Sequence, residues 1–129
     1  MREPTEQEDE WARRVIGAAI EVHRHLGPGY LEDVYQEALA VEFALQGIPF
    51  SPQHPVAVSY KGHNVGEGLL DFLVAETLVV ELKAVEAFAD IHKAQVISYL
   101  KVTNLTLGLL INFRVPMLRD GVKRVIRTQ

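Results

Sequence analysis

Two stripes of apolar residues in the first part of the chain have the spacing of α-helices. Apolar side chains recur there every three or four residues, which places them on one side of a helix. Thr5 and Glu8 have the spacing of a capping box, and the turn Gly27–Gly29 would end the first helix. Gly47 would end the second helix, so a helical hairpin is expected. The stripes are Trp11, Val15, Ala19, Val22 and Leu26, and then Leu31, Val34, Ala38, Val41 and Leu45.

From Pro55 onward the spacing changes to the alternation that is typical of β-strands. Asp90 is the predicted N-cap of a further helix, and the apolar run Leu105–Phe113 predicts a strand covered on both faces. The expected elements are strands near 56–60, 65–74, 77–85, 105–113 and 122–127, turns at 61–64 and 119–121, and a helix near 90–102. The order α-α-β-β-β-α-β-β predicts an α/β fold with a mixed β-sheet flanked by helices.

Length and composition are those of one globular domain. The chain has 129 residues, of which 48% are hydrophobic and 23% are charged. We expect an acidic N-terminal segment at residues 1–10 and a single domain at residues 11–129. The sequence has no cysteine, which excludes disulfides, thiolate zinc sites, iron–sulfur clusters and cysteine nucleophiles.

The charge and the apolar runs restrict the partners that are expected. The net charge is −4, without the basic excess of proteins that coat nucleic acid nonspecifically. The longest uninterrupted apolar stretches, such as Leu107–Ile111, are about five residues long, far short of the ~20 that span a bilayer. The first ten residues are polar and acidic, unlike a secretory signal. We therefore expect a cytoplasmic protein with no membrane partner.

Charged residues interrupt two strands that otherwise read as buried. Asp71 lies in one apolar run, and Glu81 and Lys83 lie in the next. Because strand side chains alternate, Glu81 and Lys83 should share a face, with Asp71 on the neighbouring strand. Two converging carboxylates could hold Mg²⁺, and the lysine could activate a water or offset charge on a phosphoryl group. The alternative from spacing alone is a salt bridge between Glu81 and Lys83.

The same residues resemble the signature of a nuclease superfamily. Asp71, followed after nine residues by Glu81-Leu82-Lys83, is similar to the D…(D/E)-x-K motif of the PD-(D/E)XK nuclease superfamily. Gly29–Tyr35 reads G-x-x-E-x-x-Y and resembles the motif of the GxxExxY protein family. The resemblance covers roughly residues 11–127, and the stretches that carry it are Ile20–Tyr35, Val79–Glu86, Ile91–Lys101 and Leu107–Phe113.

The resemblance implies a restriction-endonuclease-like core and a set of site residues. Asp71 and Glu81 would be ligands of Mg²⁺ or Mn²⁺, and Lys83 would be the catalytic lysine. Glu32 matches an accessory acid on the helix before the sheet, and Gln95 matches a helical glutamine that supports the lysine or substrate. The implied function is a metal-dependent phosphodiesterase, or nuclease, that acts on DNA or RNA.

Two helical stripes could support this site. His92, Gln95 and Tyr99 fall within about 60° of one another on a helix, and Glu32 and Tyr35 share a face of the second helix. Alternatively, the first stripe is a hydrogen-bonded, partly solvated face of its helix. In the second stripe, Glu32 would then be a capping acid and Tyr35 an aromatic residue of the core.

A second function class stays open. Superfamily relatives of this type often carry an arginine shortly before the aspartate, and Gly68-Leu69-Leu70 supplies none. The acidic middle of the chain also fits a non-catalytic module that binds nucleic acid or protein and retains the nuclease-like fold. The sequence does not fix the oligomeric state and leaves a homodimer open.

Overall fold

The predicted order of helices and strands is confirmed in residues 3–127, the part of the chain that this computed structural model describes. The elements are α1 (Glu6–Leu26), α2 (Glu32–Gln46), β1 (Phe50–Tyr60), β2 (His63–Val74), β3 (Leu78–Lys83), α3 (Asp90–Thr103), β4 (Leu107–Asn112) and β5 (Val122–Ile126). Residues 6–10 of the acidic segment form the first turns of α1, and residues 1–2 lie outside the described part. The division between residues 10 and 11 stays a prediction.

Helix α1 begins and ends where its capping residues indicate. The Thr5 hydroxyl accepts a hydrogen bond from the Glu8 amide at 3.1 Å, and the Glu8 carboxylate accepts one from the Thr5 amide at 2.8 Å. These bonds satisfy two amides that the helix itself leaves unpaired. At the other end, Gly27 has a φ of 74°, which an L-residue with a side chain rarely adopts. The predicted capping box is thus confirmed.

Helix α2 is buried on a different face from the stripe that predicts it. Leu31 is 80% exposed and Leu45 is 75% exposed, and Val34 and Val41 between them are also exposed, whereas Ala38 packs partly buried against the core. The buried side chains are Tyr35, Leu39 and Phe43, which pack on the sheet. Both faces of this helix are apolar, so spacing alone identifies the helix without identifying its inner face.

The sheet is mixed and has the strand order β1-β2-β3-β4-β5. Strands β3 and β4 are parallel because α3 crosses between them, and the other neighbours are antiparallel. Strand β1 begins at Phe50, six residues before the predicted start near Val56. Pro52 and Pro55 obscure this first half, and they are tolerated because β1 is an edge strand.

Two cores lie on opposite faces of the sheet. On one face α1 and α2 cover a core that includes Phe72, Val80 and Leu109. On the other face α3 covers a smaller core that includes Leu70 and Leu110. Every residue of β4 is buried, which confirms the prediction of a strand covered on both faces. The fold is therefore a sheet flanked by helices.

Two local predictions need correction. The N-cap of α3 is Ala89, and Asp90 is the first residue of the helix. Here the His92 ring accepts a hydrogen bond from the Ala89 amide at 3.0 Å and takes over the capping role that the sequence suggested for Asp90. Residues 119–121, predicted as a turn, belong to a 3₁₀ helix at Leu118–Gly121. Within residues 3–127 no helix is both long enough and apolar enough to cross a membrane.

Candidate active site

Strands β2 and β3 stop pairing through their backbones at the residues where the charged side chains begin. The ladder joins Val74 to Leu78, Leu73 to Val79 and Phe72 to Val80, and it ends there. The next opposed residues would be Asp71 and Glu81. They lie on adjacent antiparallel strands, as the sequence predicts, in the interior of the sheet rather than on an edge strand.

The two carboxylates replace the missing backbone bonds. The Asp71 amide donates a hydrogen bond to Glu81 Oε2 at 2.7 Å. In the other direction the Leu82 amide donates to Asp71 Oδ2 at 2.8 Å. Each carboxylate is thus anchored by the backbone of the opposite strand, which fixes its position without using its second oxygen. The pair is held rigidly at the end of the ladder.

At Asp71, strand β2 twists so that residues two apart point to opposite faces of the sheet. Phe72 packs in the core under α1 and α2, whereas Leu70, two residues earlier, packs in the core under α3. Residues two apart normally share a face of a strand, so the strand twists between them. Opposite Asp71 in the register, Gln53 of β1 has a φ of 48°, which is a left-handed conformation. The local twist places Asp71 between the two faces, where simple alternation does not predict it.

Helix α2 contacts the same point of the sheet. Gln36 Nε2 donates a hydrogen bond to the Asp71 carbonyl at 3.3 Å. Glu32 lies one turn earlier on the helix and is half-buried, close enough to Asp71 and Lys83 for their charges to affect its pKa. Gln36 has no role in the sequence interpretation. Its signal is a polar side chain four residues after Glu32, a spacing that puts both on one helical face.

Lys83 lies at the carboxyl end of β3 without a direct ion pair. Among the described residues no ion pair within 4.0 Å joins it to Glu81 or Asp71. The structure therefore does not contain the salt bridge between Glu81 and Lys83 that their spacing allows. The charge of Lys83 nevertheless lowers the pKa values of Glu32, Asp71 and Glu81. Its ammonium group is therefore near the acids and free to act on another group.

Asn112 fixes the chain that follows Lys83. It is buried beside Lys83 on the neighbouring parallel strand. Its Oδ1 accepts hydrogen bonds from the Val85 and Arg114 amides, each at 3.1 Å, and its Nδ2 donates to the Val85 carbonyl at 2.8 Å. The sequence analysis does not single out Asn112. It could have been recognised as a polar residue near the end of an otherwise apolar run.

Burial and mutual repulsion make the acids hard to ionise. Burial, and next the charge of Asp71, raise the pKa of Glu81 from an ordinary value of 4.5 to about 8. Burial also raises the pKa of Asp71, while the hydrogen bond from Leu82 and the charge of Lys83 oppose the shift. The pKa of Glu32 is raised by burial, opposed by Lys83 and reinforced by Asp71. The charge of Lys83 opposes the increase at all three acids and does not cancel it.

Helix α3 brings Tyr99 towards the acids. A side chain at Gly68 would place its Cβ 2.8 Å from Tyr99 Cε1, so the ring lies directly on the glycine of β2. Burial raises the pKa of the Tyr99 hydroxyl, and the charges of Glu81 and Asp71 add to the increase. Gly68 is one position of the segment that lacks the expected arginine, and a side chain there would require the Tyr99 ring to shift.

Among the described residues, no hydrogen bond or ion pair joins the other predicted supporting residues to the acids. Gln95 is exposed on α3, and no hydrogen bond joins its side chain to another residue in the part of the chain that the structure describes. His92 caps α3 instead. Tyr35 is fully buried and donates a hydrogen bond to the Gly27 carbonyl. It also stacks on Phe113 with ring centroids 4.5 Å apart, which is the core contact given above as its alternative.

Comparison with known families identifies the group to which this arrangement belongs. The family model described as the PD-(D/E)XK nuclease superfamily matches residues 9–125. The chain belongs to the PD-(D/E)XK nuclease superfamily. No curated protein matches the chain closely enough to count as a relative. Nucleases of this superfamily generally use divalent metals and act on nucleic acids.

The acid pair fits the divalent ion that the superfamily uses. Each anchored carboxylate leaves one oxygen, Asp71 Oδ1 and Glu81 Oε1, without a hydrogen bond from any described residue. The fully buried, unpaired side-chain oxygens of residues 3–127 are both threonine hydroxyls, so neither of these two carboxylate oxygens is completely buried. No group of three potential ligand side chains occurs among the described residues. The fit is therefore to an ion that is held by two carboxylates and otherwise by water, as Mg²⁺ often is.

Proposed function

We propose that this protein is a metal-dependent phosphodiesterase that cleaves DNA or RNA, with Asp71, Glu81 and Lys83 as its catalytic residues. The observation that supports it most is the pair of reciprocal hydrogen bonds between each carboxylate and the opposite strand. A structural salt bridge needs no such arrangement. Two acids are fixed at the end of the ladder, and each has one oxygen without a hydrogen bond from the described residues, which could be used to hold a cation.

The residues divide the work of phosphodiester hydrolysis. Asp71 and Glu81 would hold Mg²⁺ or Mn²⁺, and the ion would supply charge stabilisation at the phosphoryl oxygens. Lys83 would orient the attacking water and offset the negative charge that develops on the phosphoryl group. Lys83 suits this role because it lies near the acids without an ion pair that would hold its ammonium group.

The remaining predicted residues have separate proposed roles around the catalytic three. Glu32 and Tyr99 are close enough to the acids to feel their charges, and we propose them as accessory groups at the rim. Gln95 shares a helical face with Tyr99 and is exposed, so we propose that it contacts Lys83 or the substrate only when nucleic acid is bound. His92 would support the site only by capping α3.

The finer classification is also part of the proposal. We assign the chain to the GxxExxY group on Gly29, Glu32 and Tyr35. Two of these positions have physical roles, since Glu32 lies near the acid pair and Tyr35 holds the Gly27 carbonyl and accepts a hydrogen bond from the Tyr30 amide at 3.1 Å. A single domain over residues 11–129 and a cytoplasmic location complete the proposal.

The proposal is tested by cleavage assays with the purified chain. Single-stranded, double-stranded and branched DNA and RNA are incubated with Mg²⁺ or Mn²⁺ at low salt, because a net charge of −4 weakens binding to a polyanion. Cleavage should require the ion. Lys83→Ala should lower the rate by a few hundredfold, since removing a preorganised charge costs about 3–4 kcal/mol in the barrier.

The matched control is Lys101→Ala, which removes an exposed lysine from the last turn of α3. It should cleave at the wild-type rate. If no substrate is cleaved with either ion, or if Lys83→Ala is as active as the control, the nuclease proposal is wrong. The non-catalytic binding module, favoured by the acidic charge and the missing arginine, would then be the better account.

A further inference from the structure

Helix α2 is apolar on two faces, and only one of them is covered by its own chain. Tyr35, Leu39 and Phe43 pack on the sheet. A second side of the helix carries an apolar stripe whose larger members face solvent: Leu31 at 80%, Val34 at 40%, Val41 at 60% and Leu45 at 75% exposure, with Ala38 between them partly buried against the core. A helix that is apolar on both sides is typical of one buried between two layers.

The spacing of the exposed stripe is that of a helix–helix seam. Its members are three, four, three and four residues apart, which is the alternation of the core positions in a seven-residue repeat. We propose that this stripe pairs with the same stripe of a second copy of the chain, with the two α2 helices antiparallel. This inference does not depend on the catalytic proposal.

The acidic residues beside the stripe decide the orientation. Glu37 and Glu42 flank it on opposite sides, and α2 contains no basic residue that could pair with them. In a parallel pair, Glu37 would face Glu42 of the second copy, because flanking positions five residues apart meet across a parallel seam. That repulsion occurs twice in a two-fold dimer. An antiparallel pair avoids it.

One antiparallel register keeps all four glutamates apart. When Ala38 faces Val41 of the second copy and Val34 faces Leu45, the apolar layers match in size. Glu37 then lies opposite Ala44, and no glutamate meets another. A shift of one repeat would oppose the two copies of Glu37 in one direction or the two copies of Glu42 in the other. The sequence therefore favours a single register.

The exposed area suits a weak dimer. The stripe and the half-exposed Tyr30 beside it offer on the order of 500 Å² per protomer, or roughly 1,000 Å² in a two-fold pair, near the lower limit for a specific interface. Association should therefore depend on concentration. Because α2 has 15 residues, the two candidate active sites would lie at opposite ends of the paired helices, about 22 Å apart along them.

The first test is sedimentation of the full chain over a range of concentrations. The average mass should rise with concentration towards twice 14.5 kDa. Val41→Glu should raise the dissociation constant at least about tenfold, because the charge enters a symmetric interface twice. The control is Val65→Glu, which changes a valine of equal exposure, 60%, on β2 and should dimerise like the wild type. Thermal melts show that each variant is folded.

The second test is cross-linking, which reports the orientation. The chain has no cysteine, so introduced thiols have no competitors. Under oxidation, a mixture of Ala38→Cys and Val41→Cys should form the mixed disulfide in preference to either symmetric one. A dominant link between two Ala38→Cys chains would mean a parallel pair and would overturn the proposed orientation.

Two results would overturn the pairing itself. A chain that stays monomeric at every concentration does not use the stripe for a second copy, and the flanking glutamates would then indicate a basic amphipathic helix of another protein. A dimer that survives Val41→Glu unchanged is formed through another face.

Discussion

The two ends of the β2–β3 pair are built by different physical rules. At one end, Val74, Phe72 and their partners are joined by a regular backbone ladder and are fully buried. At the other end the ladder stops, and the carboxylates of Asp71 and Glu81 accept the backbone hydrogen bonds instead. The first end stabilises the fold through apolar burial. The second retains buried carboxyl groups, whose ionisation destabilises the metal-free protein.

This difference shows where function is to be sought in such a fold. A cleft of about 830 Å³, lined by Trp11, Phe50, Leu73 and Leu105 among others, opens near the apolar end. It contains neither Asp71 nor Glu81. The acid pair lies where two strands separate and their backbone amides become free to hold side chains. Strand separation, rather than the size of a cleft, marks the candidate site.

The largest expected effect lies at the apolar end. Phe72 is fully buried, and its ring packs against Phe43 and Phe50 with centroids 5.1 and 5.8 Å away. Phe72→Ala should lower the free energy of unfolding by about 3–5 kcal/mol, measured in urea. Leu69→Ala, at a half-exposed position of the same strand, is the control and should cost less than about 1 kcal/mol. If Asp71→Ala were as costly as Phe72→Ala, the two ends would not differ as described.

A smaller effect should appear at the charged end as a dependence on pH. Burial and Asp71 raise the pKa of Glu81 to about 8, above the value near 4.5 expected in the unfolded chain. Between these values the folded protein holds a proton that the unfolded chain has released, so stability falls as pH rises through this window. In EDTA the free energy of unfolding should decrease by about 2–4 kcal/mol from pH 5 to pH 8.

Glu81→Gln removes this titration and should flatten most of the slope, so that the variant is more stable than the wild type at pH 8. A residual slope of the same sign is expected, because burial also raises the pKa values of Asp71 and Glu32. Identical slopes in urea titrations of both proteins would show that Glu81 is ionised in the metal-free fold.

Much of the fold is predictable because its signals are local. The capping box at Thr5, the left-handed residue at Gly47 and the buried run of β4 each reflect the chain within a few residues. Which face of α2 is buried depends on contacts with residues that are distant in sequence. Two apolar stripes compete for the sheet, and the one with Tyr35 and Phe43 is buried because those rings fill the space over Phe113 and Phe72.

The sequence predicts that the charged residues of the candidate site lie near one another, and it does not predict how they are held. Asp71, Glu81 and Lys83 stand out as charges in apolar strands, and they do lie together. The prediction of which residues share a face assumes that side chains alternate regularly along a strand, whereas β2 twists at Asp71. Gln36 and Asn112 support the site through backbone groups that are far away in sequence, so no spacing rule finds them.

The central claim is that Asp71 and Glu81 together hold a divalent ion, and thermal melts test it most directly. Millimolar Mn²⁺ or Mg²⁺ should raise the melting temperature of the wild type by several degrees, because an ion that binds only the native state stabilises it by mass action. Lys83→Ala and the control Glu76→Gln, an exposed acid near the apolar end, should keep that increase. Asp71→Asn should lose it. An equal increase in Asp71→Asn and in the wild type would place the ion elsewhere and contradict the account.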